Sequence, residues 1–212
     1  MSGAGSDRPL VAVLDYGIGN LRSAEKGLER AGADARLTTD HGLIAEAEAV
    51  VLPGVGAFGA VMDALRASDL EEPVHAAAES GRPFLGICVG MQMLFEESEE
   101  SPGVRGLGIL PGRISWLPED VKRPQMQWNR LEVLDPGSPL LAGLEGAWMY
   151  FVHSLAARTR PEMVTAVCDY GGPVTAAVAA GNVWATQFHP EKSGESGRRL
   201  LTNFVDHVRS RG

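Results

Sequence analysis

The chain has 212 residues, 44% of them hydrophobic, enough apolar material for one compact domain with a core on both sides of a sheet. A formal net charge of −8 argues against a nucleic-acid partner, and no run of roughly eighteen apolar residues offers a membrane span. Its two cysteines, Cys88 and Cys168, make no disulfide framework and suit a reducing, cytoplasmic setting.

Residues 1–9 are small and polar and lack an apolar core segment, so they read as a disordered N-terminal extension rather than a signal peptide; the domain is expected over 10–212. Leu10–Asp15 is a short apolar strand that ends in the turn Tyr16-Gly-Ile-Gly-Asn20. Leu21, Ala24 and Leu28 then recur at helical spacing until Gly32 stops the pattern. Asp34–Thr38 and Ala49–Leu52 are the next strands, the latter running into Pro53-Gly-Val-Gly56. Helical patterns around Ala60–Leu65 and Glu72–Glu79 lead to a strand at Pro83–Ile87, and Val89, Met93 and Leu94 begin another helix. Such alternation predicts a parallel, doubly wound sheet.

The second half changes character. Arg113–Trp116, Leu131–Leu134, Trp148–Val152, Val164–Cys168, Val174–Val178 and Val183–Phe188 are strand-like runs separated by Gly, Pro and Asn, with a hairpin expected at Ala179–Asn182. Cys168 falls inside one of these runs as an inert core thiol. A closing helix carries the stripe Leu201, Phe204, Val205, Val208. The expected fold is therefore a single α/β domain, doubly wound, with a mostly parallel sheet and antiparallel strands in its second half. There is no internal repeat or low-complexity tract.

Between the strand at Pro83–Ile87 and its helix stands Gly86-Ile-Cys88-Val-Gly90. A cysteine flanked by glycines at a strand-to-helix turn reads as a nucleophile elbow, with the helix N-terminus favouring a thiolate. A thiolate nucleophile needs a proton shuttle, and His189-Pro-Glu191 supplies an imidazole and a carboxylate two residues on, which an extended segment would point to the same side. Cys88, His189 and Glu191 together spell acyl transfer through a thioester. Against this, a lone cysteine is usually core and His-Pro-Glu alone is a common turn; the flanking glycines and the joint occurrence tip the balance to chemistry.

Gly54-Val-Gly56-Ala-Phe-Gly59 matches the dinucleotide fingerprint. It follows the third strand and not the first, follows Pro53 directly, and has no acidic residue at a later strand end where a ribose would lie. Oxyanion stabilisation fits better, with donors from Gly54, Val55 and Gly56 and from the N–H of Val89, the residue after the nucleophile.

These residues resemble the class I (triad) glutamine amidotransferases: Gly86-Ile-Cys-Val-Gly-Met-Gln92 and Gln187-Phe-His-Pro-Glu191 look like that family's signatures. Asp15–Leu21, Leu52–Phe58, Trp128-Asn129, Tyr150–Ser154 and Lys192-Ser193 resemble a branch that supplies ammonia to a separate (β/α)₈-barrel synthase in histidine biosynthesis. One departure stands out, Met126-Gln-Trp-Asn129, where that branch usually carries Met-Gly-Trp-Asn. The resemblance implies glutamine hydrolysis without cofactor or metal, and a heterodimer with the barrel. It also implies substrate contacts from Gln92, Glu100, His153 and Ser154, and a partner face including Tyr16, Asn20, Trp128, Asn129 and Lys192. A stand-alone cysteine hydrolase or peptidase, a non-catalytic regulatory subunit, and a glutaminase for another ammonia acceptor are the alternatives.

Overall fold

The computed structural model describes residues 8–19 and 21–211. The expected extension thus lies outside the described residues except for Arg8 and Pro9, and these two are anchored. Arg8 Nη2 donates to Ala33 O at 2.6 Å, and Asp34 N donates to Pro9 O at 2.9 Å, so contacts with the domain begin before residue 10.

In chain order the first half runs β1 (Leu10–Leu14), α1 (Leu21–Arg30), β2 (Asp34–Thr38), α2 (His41–Glu46), β3 (Ala49–Gly54), α3 (Phe58–Ala67), α4 (Glu71–Glu79), β4 (Phe84–Cys88) and α5 (Val89–Met93). The second half runs β5 (Glu97–Ser98), β6 (Arg113–Trp116), β7 (Gln125–Arg130), β8 (Glu132–Val133), β9 (Trp148–His153), β10 (Leu155–Arg158), β11 (Val164–Asp169), β12 (Pro173–Ala180), β13 (Val183–Thr186) and α6 (Gly194–Arg209). The eight-stranded sheet has the order β2-β1-β3-β4-β13-β12-β11-β8. Pairing is parallel from β2 through β13 and antiparallel from β13 to β8, so the expected change of character falls at one strand.

Every residue of β3 and of β4 is buried, which is why both read as near-continuous apolar runs rather than as alternations. Leu21, Ala24 and Leu28 of α1 and Leu201, Phe204, Val205 and Val208 of α6 are buried as their spacing predicts, and the two helices pack together. The hairpin turns through Gly181 and Asn182, with Ala180 opposite Val183.

Four elements escape the periodicity argument, the two-residue strand β5 beside β6 among them. The short helix α2 is set by a cap, with Leu43 N donating to Asp40 Oδ1 at 2.8 Å. Strand β10 pairs with β6. Strand β7, whose Gln-Met-Gln-Trp-Asn-Arg sequence lacks β-branched residues, forms a two-stranded ribbon with β9, with Trp128 opposite Tyr150. Gln127 lies within that ribbon opposite Phe151, in extended backbone that makes no demand for glycine.

Because β1, β3, β4 and β13 are parallel and adjacent, the segments leaving their carboxyl ends converge on one edge of the sheet. These are residues 16–19, 55–57, Cys88 with α5, and 187–192. Open α/β sheets bind ligands at such an edge.

Candidate active site

Cys88 ends β4 with φ 55° and ψ −112°, one of two non-glycine residues with positive φ among the described residues. That left-handed conformation is unfavourable for a side-chain-bearing residue and persists only when its surroundings enforce it. Close approach of three glycines does so. A Cβ on Gly90 would strike the carbonyl oxygen of Leu52, one on Gly54 would lie 2.5 Å from Gly90 N, and one on Gly86 would lie 3.1 Å from Gly90 O. Strand β3 and the first turn of α5 are thereby pressed together beside the sulfur. The helix itself is only five residues long, so its favourable polarity comes from first-turn N–H groups rather than an extended dipole.

His189 follows β13, with its N–H donating to Tyr150 O at 3.0 Å. The expected extended path to Glu191 is corrected by the structure: Pro190–Lys192 form a 3₁₀ turn, and this turn brings Glu191 Oε1 to 2.7 Å from His189 Nδ1. Both side chains are buried, at 2% and 6% exposure. Ser193 fastens the turn, its Oγ donating to His189 O at 2.6 Å and accepting from Tyr150 N at 2.9 Å. His189 Nε2 is buried and makes no well-formed hydrogen bond. Burial pulls the imidazole down, but Cys88 and Glu191 outweigh it and push the group up to about 9. Such loosely aligned nucleophile–base pairs are common before substrate binds.

A testable consequence follows from this balance of causes. In Cys88→Ala the imidazole loses its sulfur partner while burial remains, so His189 should titrate at least ~1 pH unit lower by NMR. An unchanged titration would mean that the two side chains do not interact.

A cavity of about 390 Å³ opens over Cys88 and is lined by Val55, Gly56, Val89, Gln92, Glu100, His153, Ser154, His189 and Lys192, together with Pro124, Val152 and Leu155. That size fits a small-molecule site. Of the expected oxyanion segment, Gly54 is the exception. It pairs with Cys88 inside the sheet and packs on Gly90, so it supports the loop and does not face the cavity. Gly56 has φ +112°, open to glycine and costly for other residues.

The expected substrate contacts gather here as well. Gln92 is 3% exposed, with Nε2 donating to Gln187 Oε1 at 3.1 Å. His153 Nδ1 bonds Leu155 O at 2.7 Å, and burial holds its imidazole down at about 4, hence neutral with Nε2 left as a buried, unpartnered acceptor. Glu100 lines the cavity while its Oε2 accepts from Phe58 N at 2.6 Å, and Ser101 Oγ accepts from Gly59 N at 3.0 Å. These contacts occupy N–H groups at the start of α3 that a pyrophosphate would need, which disfavours the dinucleotide reading physically.

The expected partner face needs three amendments. Tyr16 is 3% exposed and its hydroxyl donates to Pro53 O at 2.5 Å, so its side chain braces the strand before the glycine loop and does not reach the surface. Asn129 Nδ2 donates to Asp169 O at 2.8 Å, tying β7 to β11. Asn20 lies outside the described residues. Trp128 is 47% exposed, and Lys192 is exposed while also lining the cavity. The β7–β9 register puts Met126 and Trp148, which sequence reasoning did not assign, on the same ribbon face as Trp128 and Tyr150. Met126 and Trp148 are exposed, and the rings of Trp128 and Tyr150 meet edge-on with centroids 6.0 Å apart. Cys168 is a buried thiol pushed up to about 11 by burial, in keeping with an inert role.

A strained elbow cysteine facing an imidazole–carboxylate pair defines a class of protein, and the family model for glutamine amidotransferase class-I matches residues 12–208. The chain belongs to that family. The imidazole glycerol phosphate synthase subunit HisH of Methanothermobacter thermautotrophicus is 48% identical over 201 residues, covering 95% of this chain and all (100%) of that protein. The HisH subunit of Synechococcus elongatus is 50% identical over 206 residues, covering 94% of each chain. Among solved structures, a glutamine amidotransferase superposes with a TM-score of 0.75 at 23% identity, covering 93% of this chain and 98% of that one. PurLQS from Thermotoga maritima superposes at 0.76 with 21% identity, covering 95% and 99%; at these identities the two structures speak for the fold alone. Among the described residues no group of His, Cys, Asp or Glu side chains could hold a metal ion, and no helix is long and apolar enough to cross a membrane.

Proposed function

We propose that the chain is the glutaminase subunit of imidazole glycerol phosphate synthase, hydrolysing L-glutamine to glutamate and ammonia. The observation that carries the reading is Cys88 at a strained elbow opening on the same cavity as His189, whose imidazole is held from behind by buried Glu191. The Cys88 thiolate attacks the side-chain amide carbon, forming a C–S bond and an oxyanion. N–H groups of the Val55–Gly56 segment and of Val89 stabilise that charge as it develops. The C–N bond then breaks, and ammonia leaves with a proton delivered by His189. Water attacks the thioester after giving a proton to His189, the C–S bond breaks, and glutamate departs. Glu191 holds the imidazole and stabilises its charged form. Gln92, Glu100, His153 and Ser154 receive the amino-acid end of the substrate.

Ammonia released into water is mostly protonated and loses its nucleophilicity. A dedicated acceptor is therefore the chemically sensible companion, and its (β/α)₈-barrel form, its place in histidine biosynthesis and a cytoplasmic location belong to the same proposal. The exposed Met126, Trp128 and Trp148 face supports a docking surface, since exposed aromatic and methionine side chains are enriched at interfaces. Glutamate release by the chain alone, and with the barrel and its nucleotide substrate, tests the reading. A stand-alone hydrolase would instead turn over esters or peptides without a partner.

The oxyanion role has its own test. Proline fixes φ near −65° and cannot follow the +112° path of Gly56, so Gly56→Pro should misdirect the loop. Turnover should fall roughly 10²–10³-fold, the usual cost of one lost oxyanion donor, with glutamine affinity changed little. Equal loss of binding and turnover would point to a collapsed loop instead.

A further inference from the structure

We propose that Gln187 is a positioning residue for the nucleophile, its side-chain amide holding the Cys88 sulfur from a direction other than that of His189; this deepens the glutaminase reading and rests on it. Gln187 is completely buried between β13 and His189, and its backbone N–H donates to Ala176 O at 2.8 Å. Its Nε2 lies 3.8 Å from Cys88 Sγ, within donor reach of a large, polarisable sulfur. The other end of the amide is fixed, because Gln187 Oε1 accepts from Gln92 Nε2 at 3.1 Å. Gln92 Nε2 is held in turn by Leu155 O at 3.4 Å, the carbonyl that also takes the His153 Nδ1 bond at 2.7 Å. Turning the Gln187 amide over would set its nitrogen against the Gln92 nitrogen and its oxygen against the sulfur. Both contacts would be unfavourable, so the surrounding network dictates which end faces Cys88.

The chemical value of such a donor is that it does not titrate. The ionisable groups coupled to Cys88 are His189, which Glu191 holds, and Tyr16, whose hydroxyl proton is committed to Pro53 O. His189 must give up its proton to the leaving ammonia, so it cannot serve the sulfur throughout the cycle. A neutral amide stays a donor in every state, and hydrogen bonds to an ionised partner are the strong ones. Gln187 therefore favours the sulfur as thiolate and fixes its direction towards the substrate carbon. A merely structural glutamine would need only its bonds to Gln92 and to the backbone.

The experiment follows alkylation of Cys88 by iodoacetamide against pH in the isolated full chain, with the Cys88 peptide quantified by mass spectrometry so that Cys168 does not interfere. Gln187→Met keeps the length and removes the donor. Its pH–rate profile should move upward by about one unit, roughly tenfold slower alkylation at a fixed pH below the plateau, or about 1.4 kcal/mol. Gln187→Glu, which turns an acceptor towards the sulfur, should move it further. Gln92→Met frees the amide to rotate and should give a smaller shift in the same direction, providing a second reading if Gln187→Met folds poorly. Circular dichroism and thermal unfolding of each variant show whether it is folded before its profile is read. A profile unmoved in folded Gln187→Met, or unmoved in both Gln187→Glu and Gln92→Met, overturns the assignment. If Cys88→Ala kept full glutamine hydrolysis, the glutaminase reading itself would fall, which separates the two failures.

Discussion

Replacing Cys88 with alanine should reduce glutamine-dependent synthesis by the assembled enzyme at least ~10⁴-fold while leaving synthesis from added ammonium at the parent rate. The magnitude follows from what loss of a covalent nucleophile costs enzymes whose catalytic groups act as a unit. The partition follows from location: Cys88 is 3% exposed at the end of β4 and, in the proposed mechanism, serves chemistry that free ammonia bypasses. His189→Ala should show the same partition, because in the proposed mechanism one imidazole both protonates the leaving ammonia and activates water. Glu191→Gln should be milder, since it weakens orientation and charge stabilisation but keeps the base. Parallel measurement of both nitrogen sources decides the matter, and a joint loss would make Cys88 a structural residue.

The second large effect concerns the partner. The isolated chain should hydrolyse glutamine poorly, and binding of the proposed barrel partner with its nucleotide should raise the rate more than ~100-fold, a coupling of roughly 3 kcal/mol. The structure offers a physical route for such coupling. A Cβ on Gly19 would lie 2.9 Å from Val55 Cγ2, and one on Gly56 would lie 3.9 Å from Ile18 Cγ2, so the loop after β1 rests on the loop after β3. Tyr16 adds a bond to Pro53 O at the base of the same segment. Contact with a partner at residues 17–19, or at Lys192 on the cavity rim, can therefore bias the peptide around Val55–Gly56 towards the orientation that aims an N–H at the oxyanion. Equal rates for the chain, the complex and the complex with nucleotide would refute the coupling and favour a stand-alone hydrolase.

Much of this architecture is legible in the sequence because local chemistry and global fold agree. Gly86, Cys88 and Gly90 can be read directly, since close backbone approach at the elbow tolerates nothing larger at the flanking positions. Strands β3 and β4 are legible because burial on both faces makes them continuously apolar. The polar strand β7 is not, because its identity comes from pairing with β9 rather than from its own composition. Tyr16 misleads because sequence places it beside residues that face outward, while its hydroxyl's bond to Pro53 O turns the side chain inward. Glu191 reaches His189 through a turn where an extended segment would be assumed, because Pro190 starts a 3₁₀ helix. Gln187 went unassigned although a signal existed. It stands two residues before His189, and neighbours two apart along an extended segment point to one side.

Covalent labelling with an electrophilic glutamine analogue, read by peptide mass spectrometry on the assembled complex, decides whether Cys88 is the nucleophile. One modification is expected, on Cys88, suppressed by excess glutamine and accompanied by loss of glutamine-dependent but not ammonium-dependent synthesis. Modification at another residue, or glutamate release that persists once Cys88 is fully labelled, would contradict it.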